Sequence, residues 1–186
     1  RHHARVHDLF KTLDEDGDGH IVSSEFRTAL KELGLAERAL APLADAGVNL
    51  HWYAGVDPDP TFAHVMEGAE VLRSAGCTAI VAVGGGSSMD AAKIIACTRT
   101  SDESPDKWVG LNKVPDDVLP IYAIPTTSGT GSEATMGAVI KDPEEQLKHI
   151  IVGEDLLPQA VALDPDLLLG LPAPVTAATG IDALTH

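Results

Sequence analysis

Apolar residues recur along this chain in two rhythms. Short runs bounded by glycine or proline, at 79–83 and 120–124, predict buried strands. Ahead of the first, Phe62, Val65, Met66, Ala69 and Leu72 fall at helical spacing and predict a helix over 61–75 with that stripe on one face. The same reading predicts helices over 36–46 and 90–98, strands over 48–54 and 159–163, and a turn at 57–60. Residues 138–141 and 149–152 pair as a hairpin across Asp142-Pro143-Glu144-Glu145, and a further helix is in its first turns from Gly180. Residues 101–120 are acidic, with Trp108 and Val109 taken as the apolar anchors, and read as an excursion with little regular structure. Alternation of this kind implies an α/β fold. Its sheet is Rossmann-like and mostly parallel, with flanking helices and a ligand at the strands' carboxyl ends.

The first residues follow another pattern. Val6, Leu9, Phe10 and Leu13 form one apolar stripe, and Phe26, Leu30 and Leu33 form a second. Between them lies a segment that fits the twelve-position calcium loop. Asp14, Asp16 and Asp18 stand at positions 1, 3 and 5, and Gly19 makes the turn at 6. His20 lends its backbone carbonyl at 7, Ile21 is the apolar 8, and Glu25 is the bidentate 12. Val22 offers no oxygen at 9, so water serves there. This resembles an EF-hand, and predicts an EF-hand domain over 1–34 that binds Ca²⁺. Pairing with a second EF-hand is expected, because such helix pairs bury their apolar faces against one another.

Charge narrows the choice of partners. The chain carries 13 basic and 28 acidic residues, a net −15, which argues against nucleic acid and anionic membranes. No apolar run reaches the length of a membrane span. Cys77 and Cys97 lie in apolar surroundings and read as reduced core residues. A cytoplasmic location is expected. The chain starts at Arg1 and not at Met, which leaves an organelle targeting segment open. His51, His64 and His149 read as surface or half-buried.

Three segments carry candidate chemistry. Gly84-Gly85-Gly86-Ser87-Ser88 joins the strand at 79–83 to a helix, which is how a backbone presents N–H groups and a positive helix end to phosphate. Residues 125–135 hold five hydroxyl side chains and two glycines ahead of Glu133, a composition suited to a ribose or phosphate. Asp182 and His186 are four apart, so on a helix they share a face and can bind one divalent metal.

Together these segments resemble the iron-containing (group III) alcohol dehydrogenases. Gly84 to Lys93 matches the family's GGGSxxDxAK turn, Pro125 to Glu133 its PTTxGTGSE loop, and Asp164 through Leu171-Pro172 to His186 its DP…LP…TGxDALTH approach to the metal. The resemblance covers about 34–186 and implies a partial nucleotide-binding domain over 35–186. It implies hydride transfer between an alcohol and an aldehyde or ketone, with NAD or NADP and one Fe²⁺ or Zn²⁺. By the family pattern, Gly85, Gly86, Ser87 and Asp90 lie at the pyrophosphate and nicotinamide side. Thr126, Thr127, Thr130 and Thr135 line the cofactor, Lys148 contacts its ribose, and Asp182 and His186 are the first two metal ligands. A homodimer is among the expected assemblies. Glu133 is expected to brace the hydroxyl loop. Three departures stand out. The family's opening strand and helix have no equivalent in this reading. Its Pro-Asn-Pro-Thr segment reads Pro58-Asp59-Pro60-Thr61 here, which sets a carboxylate near the dinucleotide. The chain stops at His186, before the helical domain that supplies two further metal-binding histidines. A competing reading is a calcium sensor with a non-catalytic nucleotide-binding domain.

Overall fold

The structure is a computed structural model that describes residues 34–101 and 103–186. The predicted EF-hand, with Asp14, Asp16, Asp18, His20 and Glu25, lies outside the described residues. The chain divides into two units, Arg1–Asn49 and Leu50–His186. In the first, helix α1 (Leu35–Asp45) opens at Gly34, whose φ of 56° is left-handed, and it carries Pro42 in its interior.

In the second unit the elements follow in the order α2 (Phe62–Ala75), β1 (Ile80–Gly84), α3 (Gly86–Cys97), β2 (Gly110–Leu111), β3 (Ile121–Pro125), β4 (Gly137–Asp142), β5 (Leu147–Val152), β6 (Ala160–Val161) and α4 (Ala173–Thr185). Strands β1, β3 and β6 form a parallel sheet in the order β1-β3-β6, with Ile80 beside Ile121 and Gly84 beside Pro125. Strands β4 and β5 make the antiparallel hairpin, and β2 joins the β5 edge in parallel.

Local chemistry explains the helix ends. At the start of α2 the Thr61 hydroxyl accepts the His64 N–H, and the His64 ring Nδ1 accepts the Thr61 N–H, both at 3.3 Å. That reciprocal cap satisfies two otherwise orphaned donors. The helix stops at Gly76, left-handed at φ 63°. The last turn of α3 is closed from outside: Arg73 of α2 donates twice to the Thr98 carbonyl, at 2.9 and 3.2 Å. A cation there also suits the negative end of the helix dipole.

The core centres on α3, which is buried from Met89 through Cys97 except at Asp90. Ile94 and Ala91 pack with Val65 and Leu72 of α2, Ile121 of β3, Ile140 of β4 and Ile151 of β5. A smaller cluster joins Met89 and Ala92 to Ala82 and Ala123 of the parallel sheet.

Several predicted elements differ from what forms. The strand expected at 48–54 is irregular backbone, because the Tyr53 hydroxyl donates to the His64 carbonyl at 2.7 Å and ties this segment to a helix and not to a sheet edge. Met66 is 41% exposed, and the buried face of α2 is Val65, Gly68, Ala69 and Leu72. Helix α3 begins at Gly86, four residues before the expected start at Asp90, so the first serines are helical. The 101–120 excursion is anchored more firmly than its polarity suggested. Trp108, 1% exposed, ends a 3₁₀ turn from Pro105 and donates its Nε1–H to Glu103. The strand expected over 159–163 is regular only at Ala160–Val161, and α4 starts at Ala173, well before Gly180.

Candidate nucleotide and metal site

The register of the parallel sheet brings two of the three candidate segments together. Gly84 and Pro125 are neighbours, so the glycine turn and the hydroxyl loop leave adjacent strands at the same carboxyl edge. The Thr126 N–H donates to the Gly84 carbonyl at 2.9 Å and locks them. Contact is close enough that a side chain at either glycine would force the facing threonine to move. A Cβ on Gly85 would sit 2.9 Å from the Thr127 Oγ1, and one on Gly86 2.9 Å from the Thr130 Cγ2. The amino end of the twelve-residue helix α3 opens at this point, with Ser87 in its first turn. Free N–H groups and the helix dipole make that end attractive to an anion. Gly85, Gly86, Ser87, Thr127 and Thr130 therefore gather in one place. Thr126 is 4% exposed and turned into the fold.

Behind the loop stands a polar brace built on Asp90 and Thr135, read from the sequence as cofactor-side residues, and on Lys93, to which sequence reading gave no role. Lys93 is fully buried on α3. Its ammonium donates to the Gly137 carbonyl at 2.7 Å, the Thr135 carbonyl at 2.9 Å, the Thr135 hydroxyl at 3.1 Å and the Ser132 hydroxyl at 3.2 Å. The Ser132 hydroxyl donates in turn to Asp90, whose other oxygen accepts the Val139 N–H at 2.9 Å. Burial raises the Asp90 carboxyl above its ordinary value, against the pull of those two bonds and of Lys93. Asp90 and Thr135 thus hold the loop from within. The available signals for Lys93 were its place at the end of the matched turn at 84–93 and its standing as a lone cation inside the apolar run Ala91-Ala92-Lys93-Ile94-Ile95.

Lys148 and Asp59 meet at the front. The Lys148 Nζ lies 2.6 Å from the Asp59 carboxylate, and the Asp59 N–H donates to the Ser87 hydroxyl at 3.3 Å. Asp59 adopts φ 58°, a left-handed conformation that Asp and Asn tolerate better than most residues. The carboxylate beside the glycine turn is consequently neutralised by the lysine that the family pattern assigns to the ribose.

The third segment approaches the same loop from α4. The Ser128 hydroxyl donates to the Thr179 hydroxyl at 3.0 Å. Gly129, at φ 99°, comes so near α4 that a Cβ there would lie 2.5 Å from the Asp182 Oδ2 and 2.6 Å from the Thr179 carbonyl. Asp182 Oδ1 and His186 Nδ1 are 4.0 Å apart, and the same ring nitrogen is 3.3 Å from the Gly129 carbonyl. A carboxylate and an imidazole are suitable donors for Fe²⁺ or Zn²⁺. They fit as part of a ligand set, since catalytic sites carry at least three protein donors. Among the described residues, the only group of three close donor side chains is Asp142, Glu145 and His149, on the β4–β5 hairpin and apart from this pair. Both cysteines are free thiols, and burial pushes Cys97 up to about 12, so it stays protonated at neutral pH. No helix among the described residues is long and apolar enough to cross a membrane.

A parallel sheet whose glycine turn and hydroxyl loop share one carboxyl edge defines an α/β protein of the nucleotide-binding type. The chain belongs to the iron-containing alcohol dehydrogenase family, whose model matches residues 4–165. It is 38% identical over 157 residues to the NAD-dependent methanol dehydrogenase of Bacillus methanolicus, covering 84% of this chain and 41% of that protein. It matches the crystal structure of a 1,3-propanediol oxidoreductase with a TM-score of 0.79 at 38% identity, over 82% of this chain and 40% of that one. A sulfoacetaldehyde reductase from Bifidobacterium kashiwanohense, solved in complex with NAD⁺, matches with a TM-score of 0.75 at 36% identity, over 82% and 40% of the two chains. This chain thus spans about two fifths of the length of these relatives. The family match starts at residue 4, ahead of Gly34 where the resemblance began it, and so takes in the segment with the calcium-loop pattern.

Proposed function

We propose that this chain is the dinucleotide-binding part of a metal-dependent alcohol dehydrogenase, which transfers hydride between an alcohol and an aldehyde or ketone with NAD or NADP. The observation that carries this reading is the meeting of the glycine turn and the hydroxyl loop over the amino end of α3. The N–H groups at Gly86 and Ser87 receive the pyrophosphate without a side chain in the way. Thr127 and Thr130 orient the sugar, and Lys148 serves the ribose once Asp59 releases it. Asp182 and His186 supply two donors to Fe²⁺ or Zn²⁺. When bound, such an ion supplies Lewis acidity toward the substrate oxygen, while the nicotinamide supplies the hydride acceptor. Residues 1–34 retain the pattern of an EF-hand, and we assign them Ca²⁺ binding as a separate property.

Isothermal titration of the chain with NADH, with and without Ca²⁺, tests both parts. Saturable NADH binding is expected, independent of Ca²⁺. Absence of NADH binding alongside a clear Ca²⁺ signal would leave the calcium-sensor reading in its place.

A further inference from the structure

A buried ammonium is expensive unless its protons are all accepted. Lys93 meets that condition with acceptors drawn entirely from outside its own helix. They fall at Ser132, Thr135 and Gly137, between the end of the hydroxyl loop and the first residue of β4. Two of the four are backbone carbonyls, so the lysine grips the chain itself and not only its side chains. Asp90, one turn earlier on α3, completes the grip through Ser132 and Val139. The same loop carries Thr127 and Thr130 against Gly85 and Gly86.

We propose that Lys93 is a positioning residue for the dinucleotide: its ammonium clamps residues 132–137 to α3 and thereby sets where Thr127 and Thr130 stand over the glycine turn. This rests on the dinucleotide reading above. The clamp depends on charge. A neutral amine has two N–H groups for four acceptors and turns a lone pair toward carbonyl oxygens. The charged groups facing Lys93 are Asp90 on α3 and Glu133 on the loop, and both favour the ammonium. Burial is the larger influence and lowers Lys93 from its ordinary 10.5 to about 8.

That shift gives two opposite pH dependences. The unfolded chain holds this proton up to its ordinary value, so Lys93 adds stability to the fold as pH rises from about 8 toward 10.5. Dinucleotide affinity instead falls around pH 8, where the folded chain gives up this proton and the clamp is lost. A lysine that served stability alone would not separate the two.

The test uses the whole chain and Lys93→Met, which fills similar space without charge. Two measurements are made: amide hydrogen exchange near pH 7, and NADH titration from about pH 7 to about pH 9.5. In K93M, amides of residues 132–139 should exchange about tenfold faster while those of β1 and β3 are unchanged, and NADH should bind about tenfold more weakly. The parent should lose affinity with a midpoint about pH 8, and K93M should show no such step. Unchanged exchange in K93M overturns the clamp, whether or not NADH binds. Faster exchange beside a parent that binds no NADH at any pH keeps the clamp and overturns the dinucleotide reading. Should K93M fail to fold by circular dichroism, Lys93→Arg takes its place. Its permanent charge should abolish the step, and a step persisting near pH 8 in K93R overturns the proposal.

Discussion

At the scale of single residues, the most consequential pair is Asp59 and Lys148. Their contact is short, 2.6 Å, yet about half of each side chain is exposed, so water and salt weaken it. Asn tolerates the left-handed backbone that Asp59 adopts, and Asp59→Asn should keep the turn while freeing Lys148. NADH affinity is expected to rise about two- to fivefold at low salt, with the gain fading by about 0.5 M. Equal titration curves for parent and variant at low salt would show that the pair does not restrain Lys148. Sequence alone exposed half of this. The carboxylate at 59 stood out against the family pattern, but its partner lies 89 residues away and only the hairpin brings it near. Gly85 and Gly86 were legible because turn chemistry is local. The role of Lys93 was not, because a lone lysine in an apolar run does not disclose which carbonyls surround it.

Among the elements, those with local signals formed nearly where expected. The Thr61 cap and Gly76 stop bound α2, and the turn after Asp142 folds the β4–β5 hairpin. The misjudged elements are those whose state is decided by distant packing. The 48–54 segment has strand-like residues, but Tyr53 finds its partners on α2. The 101–120 segment has few apolar residues, but one of them is Trp108, which is buried among the residues of the main core and precedes the β2 contact with β5. Trp108→Ala should therefore destabilise the fold by about 3–5 kcal/mol, read as a lower denaturant midpoint at unchanged slope. A change below about 1 kcal/mol would mean that the excursion contributes little to the core.

For the molecule as a whole, the two ends of the candidate site are unequally built. The end at the glycine turn rests on a core helix, whereas α4 buries none of its residues. Asp182 and His186 have side chains 41% and 67% exposed. Zn²⁺ is expected to bind this pair only weakly, since two donors make an incomplete set. His186→Ala should remove that one weak event from a titration and leave the thermal midpoint unchanged. Loss of thermal stability in this variant would show α4 to be integral to the fold. The family was legible from motifs in which chemistry and spacing coincide. Its extent was not, because the match begins at residue 4 whereas the motifs that carry the resemblance begin at Gly84.

Gly129 gives the loop a second allegiance. One stretch of backbone, 126–131, touches the glycine turn through Thr127 and Thr130 and reaches the helix bearing Asp182 through Ser128 and Gly129. It is a party wall between two rooms. Any side chain introduced at 129 must push against both Asp182 and the Thr179 carbonyl. On the proposed function, a lesion in this loop is therefore expected to register in metal and nucleotide assays together, and a double defect in such a variant cannot be credited to either room alone.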